Sequence, residues 1–244
     1  MKLSVLMPVF NESETVERMI KRVSAVDFPC EFELVIVNDA STDDTAEILD
    51  RFADQANIQV ITHPVNRGKG GAIRTAAAAA TGTYLIPCDA DLEYSPEEIP
   101  LLLAPVIRGD AEVVFGSRTF GSHSSYSYWY VMGNRGVTTA ANMLFNSYIS
   151  DLETCMKLIP ADLYHSMEIE SEGFGMEAEI AGKLLGRGVR PYEVPISYHA
   201  RSREEGKKIT WKDGVEAVWI LSKLRVKTRK GRIPKSRSKS VAKG

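Results

Sequence analysis

Cysteine is scarce in this 244-residue chain: Cys30, Cys88 and Cys155, with no CxxC pair. An odd number at wide spacing excludes a disulfide framework and a zinc site, and fits a reducing, cytosolic compartment. Long apolar runs are also lacking; none approaches the ~20 residues that span a bilayer. A secretory leader is not expected, because only Lys2 precedes the first apolar run and proline and acidic residues follow at once. Internal repeats and interior linkers are absent, so one domain is expected. What is present is a globular mixture, 44% hydrophobic and 25% charged, which excludes a disordered or collagen-like chain.

Charge is unevenly spread along the chain. From Lys223 to the end there are ten Lys or Arg and no Asp or Glu. The formal net charge of −2 therefore hides a basic end of +10 and a remainder of −12, with 20 basic and 32 acidic residues. The last stretch, KTRKGRIPKSRSKSVAKG, is too poor in apolar residues to build a core and reads as a disordered basic tail. It serves either as a solubilising extension or as an attraction to anionic lipid, at about 1 kcal/mol per basic residue near the surface. Nucleic acid is not expected as a partner, since no nucleic-acid motif accompanies the tail.

Hydrophobic patterning alternates strand and helix. Strands are expected at residues 3–9, 33–37, 58–62, 83–88 and 111–116. Helices are expected over 13–26, with Ser13 as cap, over 43–54, capped by Ser41 or Thr42, over 70–80, and from Pro96 to Gly109. Such alternation predicts a mostly parallel sheet covered on both faces, the α/β class. Residues 209–224 place Trp211, Val215, Val218, Trp219, Leu221 and Leu224 at near-helical spacing, just before the basic tail. That helix either packs its tryptophans on the domain or lies on a membrane surface, one face for each if both hold.

Ligands of open α/β sheets bind beyond the carboxyl ends of the strands. Here the strand ends carry Pro8, Phe10, Asn11 and Glu12; Asn38 and Asp39; Asn66 to Gly70; Asp89, Asp91 and Glu93; and Gly116, Ser117 and Arg118. Together they describe a cleft with carboxylates in the middle and cations around it. The sharpest feature is DADLE, residues 89–93. In extended chain Asp89 and Asp91 point the same way, Ala90 adds no bulk between them, and Glu93 continues the alternation. Crowded carboxylates are relieved by a hard divalent cation; a turn-forming acidic loop is the plain alternative. NRGKGG (66–71) has the glycines and lysine of an anion-binding helix start but not the GxxxxGK[ST] spacing, so it is either a phosphate loop or a tight turn with Lys69 in solvent. Asp39 either binds a nucleobase or ribose or sits beside helix caps. The four histidines share no spacing and read as structural.

In order along the chain stand PVFNE (8–12), VNDASTDDT (37–45), NRGKGGAIR (66–74), DADLEY (89–94), GSR (116–118), GNR (133–135), DLETCMK (151–157), FGMEAEI (174–180) and EVPISYHARSREEGKKITWKDG (193–214). This string resembles family 2 glycosyltransferases of the GT-A fold, and among them the polyprenyl-phosphate sugar synthases. The resemblance covers roughly residues 1–215. It implies a Rossmann-like GT-A domain over 1–226, with residues 227–244 as the tail, the whole lying peripherally on the cytosolic membrane face.

The implied reaction is inverting, metal-dependent transfer of a hexose from a nucleotide sugar, with GDP-mannose as lead, to a dolichyl or undecaprenyl phosphate. A UDP-glucose-type donor, a saccharide hydroxyl acceptor and a non-catalytic nucleotide-sugar scaffold are the rivals. The glycine-free first loop, PVFNESE, argues against a nucleotidyltransferase. By resemblance Pro8, Phe10, Glu12, Val37 and Asp39 line the nucleoside pocket, with Asp89 and Ala90 beside it. Asp89, Asp91 and Glu93 form the metal set for Mg or Mn; relatives often carry glutamine at the last of these. Arg118 and Arg135 grip the acceptor phosphate, assisted by Thr139, and Arg201 with Lys207 or Lys208 closes on the donor diphosphate. Asp151 falls near the position of a catalytic base in relatives that use sugar hydroxyls. A phosphate nucleophile, already anionic, needs little help from one.

Overall fold

The computed structural model describes residues 1–122, 128–200 and 211–229. The first strand, β1 (Lys2–Val9), alternates cleanly: Leu3, Val5, Met7 and Val9 go to one face, Leu6 to the other. β2 (Glu31–Asn38) does the same with Leu34 and Ile36 against Val35 and Val37. Both faces of both strands are therefore apolar, which is what a sheet buried on two sides requires. β3 (Ile58–Thr62), β4 (Tyr84–Pro87), β5 (Val114–Ser117), β6 (Lys157–Pro160) and β7 (Tyr192–Pro195) complete a seven-stranded sheet of order β3-β2-β1-β4-β6-β5-β7. Pairing is parallel except for β6, which runs antiparallel to both β4 and β5.

Two helical layers cover this sheet. α1 (Val16–Ser24), α2 (Thr45–Asp50) and α4 (Ile99–Ile107) bury Val16, Met19, Ile20, Val23, Leu49, Ile99, Leu102 and Leu103 on one face. On the other face lie α3 (Gly68–Ala79), α5 (Tyr128–Phe145), α6 (Ala161–Met167), α7 (Gly175–Gly186) and α8 (Trp211–Arg229). The expected α/β architecture holds, and the helix expected from Pro96 begins as one 3-10 turn, Pro96–Glu98, before α4. Ser13 is not the cap of α1: the helix starts at Val16, and the Ser13 N–H donates to Asp43 Oδ2 at 3.1 Å. Ser41 and Thr42 do not cap α2 either, because both are bonded to the loop after β1. β6, β7, α5, α6 and α7 have no counterpart among the expected elements; the antiparallel strand is only four residues long and carries Lys157 in its buried face. Among the described residues no helix is long and apolar enough to cross a membrane.

The direction of β6 decides which loops meet. Because it runs against β4 and β5, its first residue pairs Phe115 and its last pairs Tyr84. The segment before it, DLETCM, therefore arrives at the same edge where β4 and β5 end.

At the opposite edge one carboxylate ties the sheet together. Glu33 accepts from Lys2 Nζ (2.6 Å), Ser4 Oγ (2.6 Å), the Thr81 N–H (2.6 Å), Thr81 Oγ1 (2.7 Å) and the Gly82 N–H (3.2 Å). Burial pushes this carboxyl up, but Lys2, Ser4 and Thr81 together hold it down at about 2, against an ordinary 4.5. A depressed carboxyl stabilises the fold above its unfolded value and loses that contribution as pH falls through the folded one. Glu33→Gln is expected to cost about 2 kcal/mol at pH 7 and almost nothing at pH 2. Urea melts at the two pH values check this, and an equal loss at both would remove the ionic part of the account.

Candidate functional site

The site is built where β1, β2, β4 and β5 end. The loops after β1 and β2 are stitched to each other by side chain to main chain bonds. The Asn11 N–H donates to Ser41 Oγ (3.0 Å), the Glu12 N–H to Thr45 Oγ1 (3.0 Å), and the Thr42 N–H to Asn11 Oδ1 (2.8 Å). Ser41 and Thr42 thus brace the first loop in place of capping α2. Asn11, Ala40 and Leu92 adopt left-handed backbone (φ 54°, 59° and 65°), three of the five non-glycine residues that do so among the described ones. Strain of this kind persists only where surrounding bonds over-determine it, and it gathers at binding sites.

Asp39 is almost wholly buried. Its Oδ1 accepts from His63 Nδ1 (2.7 Å) and from the Arg67 N–H (2.8 Å). Pro8, Phe10 and Glu12 line the neighbouring loop, half-buried. Val37 lies with its side chain fully inside the core beneath α3, so it offers a ligand only main chain.

NRGKGG is not a phosphate cradle. The Gly70 and Gly71 N–H groups both donate to Glu172 O (2.7 and 3.2 Å), the Gly68 N–H to Asn66 Oδ1 (3.1 Å), and the Arg67 N–H to Asp39. Four donors that an anion would use, those of Arg67, Gly68, Gly70 and Gly71, already have protein acceptors. The glycines serve close approach: Gly68 sits at φ +75°, and a Cβ there would meet Glu172 O at 2.5 Å. Lys69 is not in solvent. It is mostly buried, with Nζ 2.8 Å from Asp89 Oδ2 and 3.4 Å from Glu177 Oε1. Glu177 in turn meets Lys157 Nζ at 2.7 Å, and that ammonium also bonds Thr154 O. Burial works against the Lys69 charge, yet Asp89, with Cys155 and Glu177 behind it, holds its pKa well above the ordinary value.

DADLE is accordingly divided. The backbone turns at Ala90–Asp91, and left-handed Leu92 breaks the extended alternation. Asp89 faces Lys69; Asp91 Oδ1 accepts the Glu93 N–H (3.0 Å); Glu93 Oε2 accepts from the Tyr198 hydroxyl (2.6 Å). Among the described residues no group of three or more His, Cys, Asp or Glu side chains is gathered for a metal. Asp89 faces an ammonium, while Asp91 and Glu93 bond an N–H and a hydroxyl; carboxylate oxygens of this kind suit a hard cation. Buried Ala90 adds no bulk between the two aspartates.

Arg118 is held from both sides. Its Nε and Nη2 form a bidentate pair with Asp151 (2.7 and 2.8 Å), its N–H adds a third bond to Asp151 (3.0 Å), and its guanidinium lies 4.9 Å over the Tyr198 ring. Burial opposes both charges, yet Tyr94 and Asp151 raise Arg118 well above its ordinary pKa, and Arg118 lowers that of Asp151. A fully buried carboxylate in three such bonds braces Arg118. From the GNR motif it is Asn134 that reaches in, 2.9 Å from Asp151 Oδ1; Arg135 is exposed on α5, and the Thr139 hydroxyl donates to Arg135 O (2.7 Å). Arg201, Lys207 and Lys208 lie outside the described residues. The stem leading to them is pinned by Tyr198 on Glu93, by the His199 N–H on Glu93 O (2.9 Å), and by Ser197 on Glu98 (2.8 Å).

In the sequence Lys69 stood between phosphate and solvent and His63 read as structural, while Lys157, Asn134 and Tyr198 carried no role of their own. The available signals were position: His63 is the first residue past β3, and Lys69 stands between glycines that admit close packing.

Glu153, beside this network, has a buried Oε1 without a hydrogen-bond partner among the described residues. Burial first, then the neighbouring Glu177, pushes its carboxyl up to about 7 from an ordinary 4.5. Folding therefore disfavours its ionised form, and stability falls as pH rises from about 4.5 to 7. Glu153→Gln is expected to abolish that slope and to be more stable above pH 7 by about 2 kcal/mol. Urea titrations at pH 5 and 8 check it; an unchanged slope would exclude Glu153 as its source.

Comparison with known proteins agrees with this geometry. The family model described as Glycosyl transferase family 2 matches residues 4–166. The low-salt glycan biosynthesis hexosyltransferase Agl6 of Haloferax volcanii is 32% identical over 207 residues, covering 83% of this chain and 49% of that protein. The dolichol-phosphate mannosyltransferase of Pyrococcus furiosus is 26% identical over 211 residues, covering 85% and 59%. The chain thus spans about half the length of these curated relatives. Among solved structures, glucosyl-3-phosphoglycerate synthase from Mycobacterium tuberculosis in complex with UDP superposes with a TM-score of 0.68 at 20% identity, covering 96% of this chain and 82% of that one. With the model matching two thirds of its length and the GT-A fold around it, the chain belongs to glycosyl transferase family 2.

Proposed function

We propose that this protein transfers a hexose from a nucleotide sugar to a polyprenyl phosphate, with inversion, and that GDP-mannose is the donor. The observation that supports it most is the pair of charged groups each held by one edge. Asp39 is bonded at Oδ1, with no bond to Oδ2 among the described residues, so Oδ2 takes a nucleobase N–H or ribose hydroxyl. Arg118 is bonded to Asp151 at its Nε–Nη2 edge, which leaves Nη1 for a phosphate oxygen. The names of the two relatives, a hexosyltransferase and a dolichol-phosphate mannosyltransferase, favour the same class.

A divalent cation, Mg or Mn, would be held by Asp91 and Glu93, since hard ions bind through one or two carboxylates plus substrate phosphates. Bound there, it supplies charge stabilisation for the departing diphosphate. The remaining work falls to the chain. Arg118, fixed by Asp151 and Tyr198, holds the acceptor phosphate, and Arg135 on α5 draws it in. The phosphate oxygen attacks the anomeric carbon as the bond to the diphosphate breaks, without a base. Arg201 with Lys207 or Lys208 closes over the donor diphosphate; the stem before that segment is pinned by Tyr198 on Glu93.

The acceptor is met at a membrane surface. α8 packs Ala217, Leu221 and Leu224 inward and exposes Val215, Val218, Trp219 and Val226, with Trp219 63% exposed. Continuing into ten Lys or Arg without an acid, this outer face suits anionic lipid on the cytosolic side.

The decisive assay tracks labelled sugar from a donor panel into undecaprenyl or dolichyl phosphate. GDP-mannose is expected to label the lipid, EDTA to stop it, and Asp91→Ala and Arg118→Ala to reduce kcat/KM by about a hundredfold or more. Label from a UDP sugar alone would keep the class and replace the donor. Binding of nucleotide sugar without lipid label from any donor would overturn the reading in favour of a saccharide acceptor or a scaffold. Separately, Val215→Glu with Trp219→Glu is expected to abolish co-sedimentation with anionic vesicles while the melting temperature stays unchanged. Retained sedimentation would exclude the α8 face as the contact.

A further inference from the structure

We infer that His63 is a positioning residue for nucleotide binding, acting through Asp39. The inference rests on the proposal that Asp39 contacts the donor nucleoside. His63 follows β3 directly and is 6% exposed. Its main-chain N–H donates to Asn38 O (2.9 Å), which fixes the residue against the end of β2. Its ring spans two elements, with Nδ1 2.7 Å from Asp39 Oδ1 and Nε2 2.8 Å from Thr75 Oγ1 on α3.

Proton arithmetic settles the direction of the first bond. A carboxylate only accepts, so Nδ1 carries a hydrogen. Thr75 has one hydroxyl hydrogen and two neighbours, His63 Nε2 and Gly71 O at 3.1 Å. If that hydrogen goes to Nε2, the ring is neutral; if it goes to Gly71 O, Nε2–H donates to Thr75 and the ring is an imidazolium. Nδ1–H points at Asp39 either way, so the ring is locked by α3 in the one orientation that serves the carboxylate.

The consequence is for the other oxygen. His63 and the Arg67 N–H both bond Oδ1, from β3's end and from the start of α3. Two donors converging on one oxygen fix the carboxylate plane, which leaves Oδ2 turned to a ligand. Without His63 the carboxylate keeps a single donor and can rotate, so affinity for the nucleoside falls though the contact atom is unchanged. This is the relation by which an outer partner orients a ligating group, seen most often around metal-bound histidines.

The test is a double-mutant cycle read by calorimetric titration with GDP and with UDP. His63→Asn is expected to weaken binding of the preferred nucleotide about tenfold, to raise the donor KM by a similar factor and to change kcat little. His63→Gln, whose amide also donates, is expected to recover part of the loss. In an Asp39→Asn background, His63→Asn is expected to add less than about twofold, because an effect carried by Asp39 is already gone. An equal loss in both backgrounds would overturn the inference and make His63 a packing residue, as would unchanged affinity in a folded His63→Asn protein. Should His63→Asn fail to fold, His63→Gln carries the same cycle. If Asp39→Asn alone leaves both nucleotides bound as tightly as before, it is the nucleoside reading of Asp39 that fails, which the His63 variants by themselves cannot mimic.

Discussion

Two ammonium groups and two carboxylates share the floor beneath the cleft, and each of these charges is tolerable there because of the other three. Lys69 joins Asp89 and Glu177, and Glu177 joins Lys157, whose side chain has no exposure at all. Removing one member of such a set leaves a buried uncompensated charge, at a cost of about 3–5 kcal/mol. The four groups come from α3, the end of β4, α7 and β6. Their pairing therefore fixes two helices against the sheet and commits Asp89 to Lys69. Beside this set the Glu153 carboxyl is raised, by its burial first and by Glu177 in addition, against the pull of Lys157.

Above that floor the same device recurs on a smaller scale. Asp39 and Arg118 are each gripped on one side by protein, Asp39 at Oδ1 and Arg118 at its Nε–Nη2 edge. Charged groups fixed in advance need no reorganisation when a ligand arrives, which is where such sites gain most of their effect. Asp151, Asn134, Tyr198, His63 and Arg67 supply this fixing, so much of the site consists of residues that touch other residues. Strain is placed in the same region: Asn11, Ala40 and Leu92 hold left-handed backbone in the three loops that meet there. The cross-bonds from Ser41, Thr45 and Asn11 restrain two of those loops.

How the chain arrives at the cleft depends on one reversed strand. β6 runs antiparallel between β4 and β5, so DLETCM enters at the carboxyl edge. That brings Asp151 to Arg118 and Lys157 to Glu177. On the far face α8 closes the second core with Ala217, Leu221 and Leu224 and leaves an apolar outer stripe.

Read as sequence, the chain determined its α/β class, its first five strands and the loops that carry polar groups, because apolar alternation and strand-end position are local properties. The alternation in β1 and β2 is enough to sort their residues between the two cores. The motif string likewise pointed to the family. Partnership was not legible. Lys69 read as equally suited to solvent, His63 as a bystander, and Asp89 as a companion of Asp91; Ser41 and Thr42 read as caps of their own helix. Each of these depends on a contact between residues distant in the chain, among them Lys69 with Glu177, His63 with Asp39 and Ser41 with Asn11. A charge or hydroxyl declares by itself only that it needs a partner. Which partner it takes is decided when the fold removes water, since burial makes every unmatched polar group costly and leaves the nearest complementary one as its only relief.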